Sequence, residues 1–437
     1  MVDFIRLNLR IFSRKQGLTV MADASRTVWV VNHYTAIPEL HHQAGRHYHL
    51  ATHLEHEGWK AVLIGASTTH PVGKQTLPQG VRRRYVAETP SRLTLRAPAY
   101  GRNALRRVVN MAWFTLALLV PASTRGLPAP DVIVGSTVHP FAALAASQLA
   151  RRRRVPFVFE IRDLWPETFI SMGVLRRRGI IARALRFVEH VSIRRASLVL
   201  SPLPGVGDYL RAHGYPNDFV WVSNGIEAEA QGGVAVPSAK THNGLVFTYL
   251  GAMGWANALP VIIDAFARYV QISGDVNARL RLVGDGSLKP VLRDRAQASA
   301  AGSQITVEDA VPQNQVPRII AESDCLVINF RNLDVYRYGV SPNKIFQYLL
   351  GAKPIIFGSP AKNDPVRDSG AGFSVVPDDV EAFAAAMSKV ARLTEDERAK
   401  LGIQGRAHVL VEYDYRTLAL RLAAALERVV GTRPASR

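Results

Sequence analysis

Apolar residues in this chain gather in short, unalternated runs, separated by longer stretches in which they recur at helical spacing. The runs at 28–31, 60–64, 131–135, 155–159, 198–200 and 219–222 are rich in Val, Ile, Leu and Phe. Runs of that kind read as strands buried on both faces, the habit of parallel sheets. Helical spacing occupies 46–57, closed by Gly58, then a stretch beginning near Phe141, then 180–195. From 227 to 243 the chain turns to Gly, Ala and polar residues, the composition of a linker. The rhythm resumes with strands at 245–250, 281–283, 305–307 and 355–357, and with helices from Leu259, at 380–393 and at 418–430. Strands alternating with helices predict doubly wound α/β units, in which loops at the strands' carboxyl ends face a ligand crevice.

A length of 437 residues exceeds what one hydrophobic core organises, so two domains are expected. Apolar content of 48% and charged content of 20% are those of a globular protein. One cysteine, Cys325, lies in an apolar run, which forbids an internal disulfide, suits a reducing cytosol and reads as a small buried hydrophobe. Charge is lopsided: up to Asn224 there are 30 Lys and Arg against 13 Asp and Glu, or +17 of the total +19. A basic half predicts an anionic surface such as phospholipid or a polyprenyl diphosphate, or else a solvated arginine-rich face. Nucleic acid fits the charge but not the motifs, because no aromatic or fold signature accompanies the arginines.

The most informative stretch begins Ser341-Pro342-Asn343-Lys344 and runs through Gln347, Tyr348 and Gly351 to Pro354. Ser341 reads as a helix N-cap and Pro342 as the first helical residue. Gly351 suits the left-handed position that closes the helix, and Pro354 stops its continuation. Free amides at a helix N-terminus attract phosphate, and Lys344 adds a full charge there. Gln347, within a turn of the same end, can hydrogen-bond a sugar hydroxyl.

This stretch resembles the donor-site motif of family 4 glycosyltransferases, in the subgroup of bacterial N-acetylfucosamine transferases of surface-polysaccharide assembly. Gln347 stands where that pattern has an acidic residue, which implies an uncharged ribose contact. The segment Glu160-Ile161-Arg162-Asp163-Leu164-Trp165-Pro166-Glu167 is similar to the same subgroup, as are Ser136, His139, Pro140 and Phe141 and the Asn224-Gly225 junction. The resemblance implies a GT-B fold, two doubly wound Rossmann-like domains facing across a cleft. Residues 26–226 would bind the acceptor, 227–243 would link, 244–415 would bind the nucleotide sugar, and 416–437 would be a helix crossing back to the first domain. It implies a retaining, hexosyltransferase-type enzyme (EC 2.4) that moves a UDP-linked, N-acetylated sugar to a polyprenyl-diphosphate-linked or glycan acceptor in O-antigen, capsule or exopolysaccharide synthesis. No metal or other cofactor is implied. The implied location is cytoplasmic, on the inner face of the plasma membrane. The alternatives are a GT-B enzyme that hydrolyses or epimerises the nucleotide sugar, and a catalytically weakened relative that grips an anionic polymer.

Residue by residue, the resemblance and the crevice rule together nominate His139, Asp163 and Glu160 for catalysis. Asn32, His33, Arg162 and Trp165 fall on the acceptor side. Gly251, Gly254, Asn257, Val311, Ser341, Pro342, Asn343, Lys344 and Gln347 fall on the donor side. Relatives place a basic residue or histidine in the glycine turn where this chain has Met253 and Trp255, which shifts diphosphate neutralisation to Lys344, with Arg331 or Arg337 as helpers.

Three segments carry further expectations. The run at 108–120, flanked by Arg106, Arg107 and Arg125, is too short to span a bilayer and suits either a core helix or one lying in the membrane interface. His41, His42, His47, His49, His53 and His56 read as solvated helix histidines, since no further ligand pattern completes a metal site. In the leader 1–25, Arg6 and Arg10 break any signal-peptide core, which leaves a short amphipathic helix on a membrane, a disordered arm, or an over-extended reading frame with translation starting at Met21.

Overall fold

The computed structural model describes residues 26–35, 38, 44–101, 103–228 and 244–431. The leader, His41, His42 and the linker beyond residue 228 lie outside the described residues. Two parallel-sheet α/β Rossmann-like domains emerge. The first holds strands β1 (Arg26–Val31), β2 (Trp59–Ala66), β3 (Arg83–Val86), β4 (Ser91–Leu95), β5 (Val132–Ser136), β6 (Phe157–Glu160), β7 (Leu198–Ser201) and β8 (Phe219–Trp221), in the order β3-β4-β2-β1-β5-β6-β7-β8. Pairing is parallel except for β3, an antiparallel edge strand on β4. The pair β3 and β4 was not legible beforehand, because arginines interrupt both strands. The second holds β9 (Val246–Leu250), β10 (Arg279–Val283), β11 (Ile305–Glu308), β12 (Cys325–Asn329), β13 (Ile355–Gly358) and β14 (Gly372–Val375), all parallel, in the order β11-β10-β9-β12-β13-β14.

Each order reverses once, between β1 and β5 in the first sheet and between β9 and β12 in the second. Helices leave to opposite faces on the two sides of such a point, so a crevice opens beyond the strand ends there. Both faces of both sheets are buried. Trp29, Phe114, Ala146 and Phe159 pack on one side of the first sheet, and Val30, Leu54, Leu200 and Leu426 on the other. The last of these comes from the Tyr415–Gly431 helix, which follows the second domain yet packs on the first.

The key helix is shorter than expected. It runs Asn343–Leu350 with Pro342 as its N-cap, so Ser341 is no cap. Gly351 keeps ordinary helical angles, and the left-handed residue that ends the helix is Ala352, φ 54°. The histidine reading is also corrected. On the Arg46–Leu54 helix His47 and His53 are buried, and His49 Nδ1 and His53 Nε2 each lie 3.0 Å from Oε2 of Glu227. Glu227 is distant in sequence, so local spacing gave no sign of it.

The 108–120 run divides between its two expected fates. In the Ala104–Leu119 helix Asn110, Phe114 and Leu118 face inward, whereas Leu105, Val108, Trp113 (55% exposed) and Leu116 face solvent. No helix among the described residues is long and apolar enough to cross a membrane.

Candidate active site

The glycine turn after β9 and the start of the Asn343–Leu350 helix meet at the second domain's switch point. Tyr348 fastens that helix to β9: its hydroxyl donates to Leu250 O (2.9 Å) and accepts from Leu250 N (2.5 Å). Residues four apart share a helix face, so anchoring Tyr348 swings Lys344 over the turn. Lys344 Nζ donates to the Tyr249 hydroxyl (2.9 Å) and to Asn257 Oδ1 (2.5 Å). It also lies 4.6 Å from the Tyr249 ring centre and 5.2 Å from that of Phe330. Burial among these neutral groups pulls the ammonium down to about 7. Gly251 has φ +150°, and a Cβ there would come within 3.4 Å of the Lys344 stem.

Asn257 is itself held, its Nδ2 donating to Ala252 O (2.8 Å). Gly254 faces open space, and Val311 is half-buried in the loop after β11. Gln347 is half-buried and its amide makes no hydrogen bond to the described residues, while Asn343 is exposed at the helix start. Met253 is buried, and Trp255 is half-covered by Arg331, whose guanidinium carbon stands 4.2 Å from the ring centre and whose Nε donates to Trp255 O (2.9 Å). A cation therefore does reach the glycine turn, delivered from the end of β12. Arg337 is elsewhere, on a turn facing the first domain.

The first domain's switch point holds a different arrangement. His139 caps the Pro140–Arg153 helix, its Nδ1 accepting from Ala142 N (3.4 Å), and its Nε2 lies 3.0 Å from His33 Nδ1. His33 Nε2 lies 2.7 Å from Asn110 Oδ1, while Asn110 Nδ2 donates to Thr68 Oγ1 and Pro98 O. The tautomers follow from this. Asn110 Oδ1 accepts, so His33 donates from Nε2 and accepts at Nδ1, and His139 must then donate from Nε2. Burial holds His33 near 4 and His139 well below the usual histidine range, so both rings are neutral. With both nitrogens occupied, His139 has no free site for an acceptor's proton. In this structure His139 holds the helix start and the His33 ring together.

Glu160 is likewise internal. Its carboxylate accepts from Arg46 Nε (3.0 Å) and from His47 Nε2 (2.6 Å), and Asn32 Nδ2 closes the other side of His47 (2.8 Å). His47 and Arg46 hold the Glu160 carboxyl well below the usual carboxylate range despite the burial that opposes them. Arg46 continues to the carbonyls of Val222 and Ser223, so Glu160 supports the hinge rather than the cleft surface. Asn32 and His33, expected on the acceptor side, belong to these buried networks.

What faces the gap is Arg162, Asp163 and Trp165. Arg162 is positioned through its amide, which donates to Thr137 Oγ1 (2.9 Å), and Trp165 packs edge-on against Phe169. Asp163 is exposed to solvent next to Arg162. Burial raises the hydroxyl of Tyr336, and the charge of Asp163 adds to the rise. Tyr336 packs edge-on against Phe330 (5.9 Å), the ring beside Lys344. Ser341 locks the two domains at their junction: Asn224 N donates to its hydroxyl (3.0 Å), Ser223 Oγ is 3.0 Å from it, and Asn224 Nδ2 donates to its carbonyl (2.6 Å). Tyr249, Phe330 and Tyr336 carry no motif that would single them out in the sequence.

No curated protein matches the chain by sequence. Among solved structures, sucrose-phosphate synthase from Thermosynechococcus elongatus superposes with a TM-score of 0.67 at 14% identity, over 93% of this chain and 100% of that one. Anabaena HepE in complex with UDP and glucose gives 0.58 at 14% identity, over 92% and 99%. The lipopolysaccharide outer core galactosyltransferase WaaB gives 0.57 at 12% identity, over 92% and 99%. These likenesses speak for the fold. Two family matches speak for the chemistry: the glycosyl transferase 4-like domain over residues 44–225 and the glycosyl transferases group 1 domain over residues 244–392. The chain is therefore a glycosyltransferase of the GT-B fold, its first half belonging to the 4-like domain family and its second to group 1.

Proposed function

We propose that this enzyme transfers a sugar, with retention, from a UDP-linked donor to a lipid-linked or polysaccharide acceptor of a cell-surface glycan, working at a membrane surface. The observation that carries the donor half is Lys344, a cation with neutral hydrogen-bond partners, poised over a glycine turn at a helix N-terminus. A diphosphate placed there would meet the helix amides, Lys344 and Arg331. Stabilising the departing diphosphate is the electrostatic work that usually dominates catalysis, and in this reading side chains perform it in place of a metal. Gln347, one turn along, is the candidate for the ribose. The UDP bound by HepE and the lipopolysaccharide role named for WaaB support UDP as nucleotide and a surface glycan as product. Asp163, an exposed carboxylate in the loop after β6, is the candidate to take the acceptor hydroxyl's proton.

The test is UDP release from UDP-sugars with and without a polyprenyl-diphosphate-linked acceptor. Acceptor-dependent release is expected, and Lys344→Ala should lower it at least about tenfold, roughly 1.4 kcal/mol of transition-state stabilisation. Equal turnover in Lys344→Ala at limiting and saturating donor would overturn the assignment.

A further inference from the structure

A second concavity lies beside the donor pocket and plays no part in it. A cavity of about 880 Å³ opens between the 167–213 region of the first domain and the turn Asp334–Tyr338 of the second. Its walls carry Arg177, Arg178 and Arg186 with Glu167 on one side and Arg337 with Asp334 on the other, a net excess of cations. Arg186 is occupied by Glu167 (2.8 Å), whereas Arg177 and Arg178 are exposed and their guanidinium groups have no ion-pair partner among the described residues. Arg337, also exposed, donates to the Tyr338 hydroxyl (2.9 Å).

Directly after these arginines comes the helix Ile180–Arg195. It buries Leu185, Val188 and Ile193 and leaves Ile180 (85% exposed), Ala184 and Phe187 (67% exposed) in an outward stripe at helical spacing. Exposed cations and an exposed apolar stripe therefore share one edge. A ligand that satisfies both is an amphiphile with an anionic head. Guanidinium forks bind phosphate oxygens in pairs, and three of them suit a diphosphate. The cavity also falls in the size range that holds a drug-sized molecule, enough for a diphosphate with a sugar attached.

We infer that this cavity receives the diphosphate of an isoprenoid-diphosphate-linked acceptor, held by Arg177, Arg178 and Arg337, with the first isoprene units lying along Ile180 and Phe187. The inference rests on the proposed function for the sugar end of that molecule. Arg337 lies on the Asp334–Tyr338 turn, which packs against the Glu167–Ser171 helix directly after Trp165, so a head group held here lies beside the acceptor-side loop.

The test titrates farnesyl diphosphate into the full-length protein, with inorganic diphosphate, farnesol and phosphatidylglycerol vesicles as separate arms and UDP as control. Farnesyl diphosphate should bind more tightly than either fragment. Its affinity should fall at least about tenfold in Arg177→Ala/Arg178→Ala and several-fold in Phe187→Ser, with UDP affinity unchanged in both. Undiminished farnesyl diphosphate binding in the double arginine variant overturns the inference. So does loss of vesicle binding alone, which would assign the arginines to the bilayer, and so does inorganic diphosphate binding as tightly as the prenylated form. If UDP binds and farnesyl diphosphate does not, this subsite falls and the transferase reading stands. If UDP does not bind either, the donor-site reading falls separately.

Discussion

Two buried ionisable residues carry pH dependences that can be worked out in sign. Lys344 has its ammonium drawn down to about 7 by burial, and a bound diphosphate would favour the charged form. Donor binding should therefore take up a proton, and affinity should fall as pH rises through about 7. Calorimetry of UDP binding at pH 8 in buffers of different ionisation enthalpy measures the uptake, and a buffer-independent heat would place the diphosphate away from Lys344. Glu189 behaves oppositely to a paired surface carboxylate. Buried beneath Tyr209, whose hydroxyl donates to it (2.8 Å), it is pushed up to about 8. Between the ordinary carboxylate range and about 8 the folded state holds a proton that the unfolded chain has lost, so stability declines as pH rises through that window. The loss is on the order of a few kcal/mol, and Glu189→Gln should flatten it in denaturant titrations from pH 5 to 9. At this scale the sequence was a partial guide. Lys344 could be read from its neighbours, but the occupied nitrogens of His139 could not, because they depend on His33 and Asn110 far along the chain.

Among the elements, the Ala104–Leu119 helix stands out because one chain segment serves two environments. Phe114 and Leu118 anchor it to the core, and its outward face presents Leu105, Val108, Trp113 and Leu116. Arginines fringe its far end: Arg152 Nη1 donates to Leu119 O (2.6 Å), and Arg83 donates to the carbonyls of Ala122 and Arg125 (2.8 Å each). That combination is expected to bind anionic bilayers peripherally, each basic side chain near the surface contributing about 1 kcal/mol. In co-sedimentation of the full chain, binding to phosphatidylglycerol vesicles should weaken with salt and leave a salt-resistant remainder that Trp113→Ala reduces. Equal binding to neutral and anionic vesicles would remove the electrostatic part, and an unchanged remainder in Trp113→Ala would remove the helix. Both fates of this segment were visible in its composition. Which residues took which face was decided chiefly by the Pro140–Arg153 helix packed against it.

In the whole molecule, the domains are joined at a junction with little slack. The chain passes from the first domain at Ile226 and returns beside it at Tyr415, with Ile226 N donating to Tyr413 O (2.9 Å) and Tyr415 N to Ile226 O (3.0 Å). A Cβ on Gly225 would stand 2.2 Å from the Tyr413 carbonyl and 2.6 Å from Leu418. Gly225→Ala must move the returning segment, and the expected cost is about 1–3 kcal/mol of stability, read by chemical denaturation; a neutral substitution would mean that the crossing is looser than drawn. By itself the sequence determined the two α/β halves and a helix beginning close to Lys344. Apolar periodicity and capping chemistry are local, acting within a few turns of the chain. Only the tertiary structure decided that Ser341 would lock a hinge instead of capping a helix, that Glu160 would hold Arg46 and His47, and that Arg331 would reach the glycine turn. Those partners are brought together by strand order, and a buried polar group goes wherever the fold supplies its missing donor or acceptor.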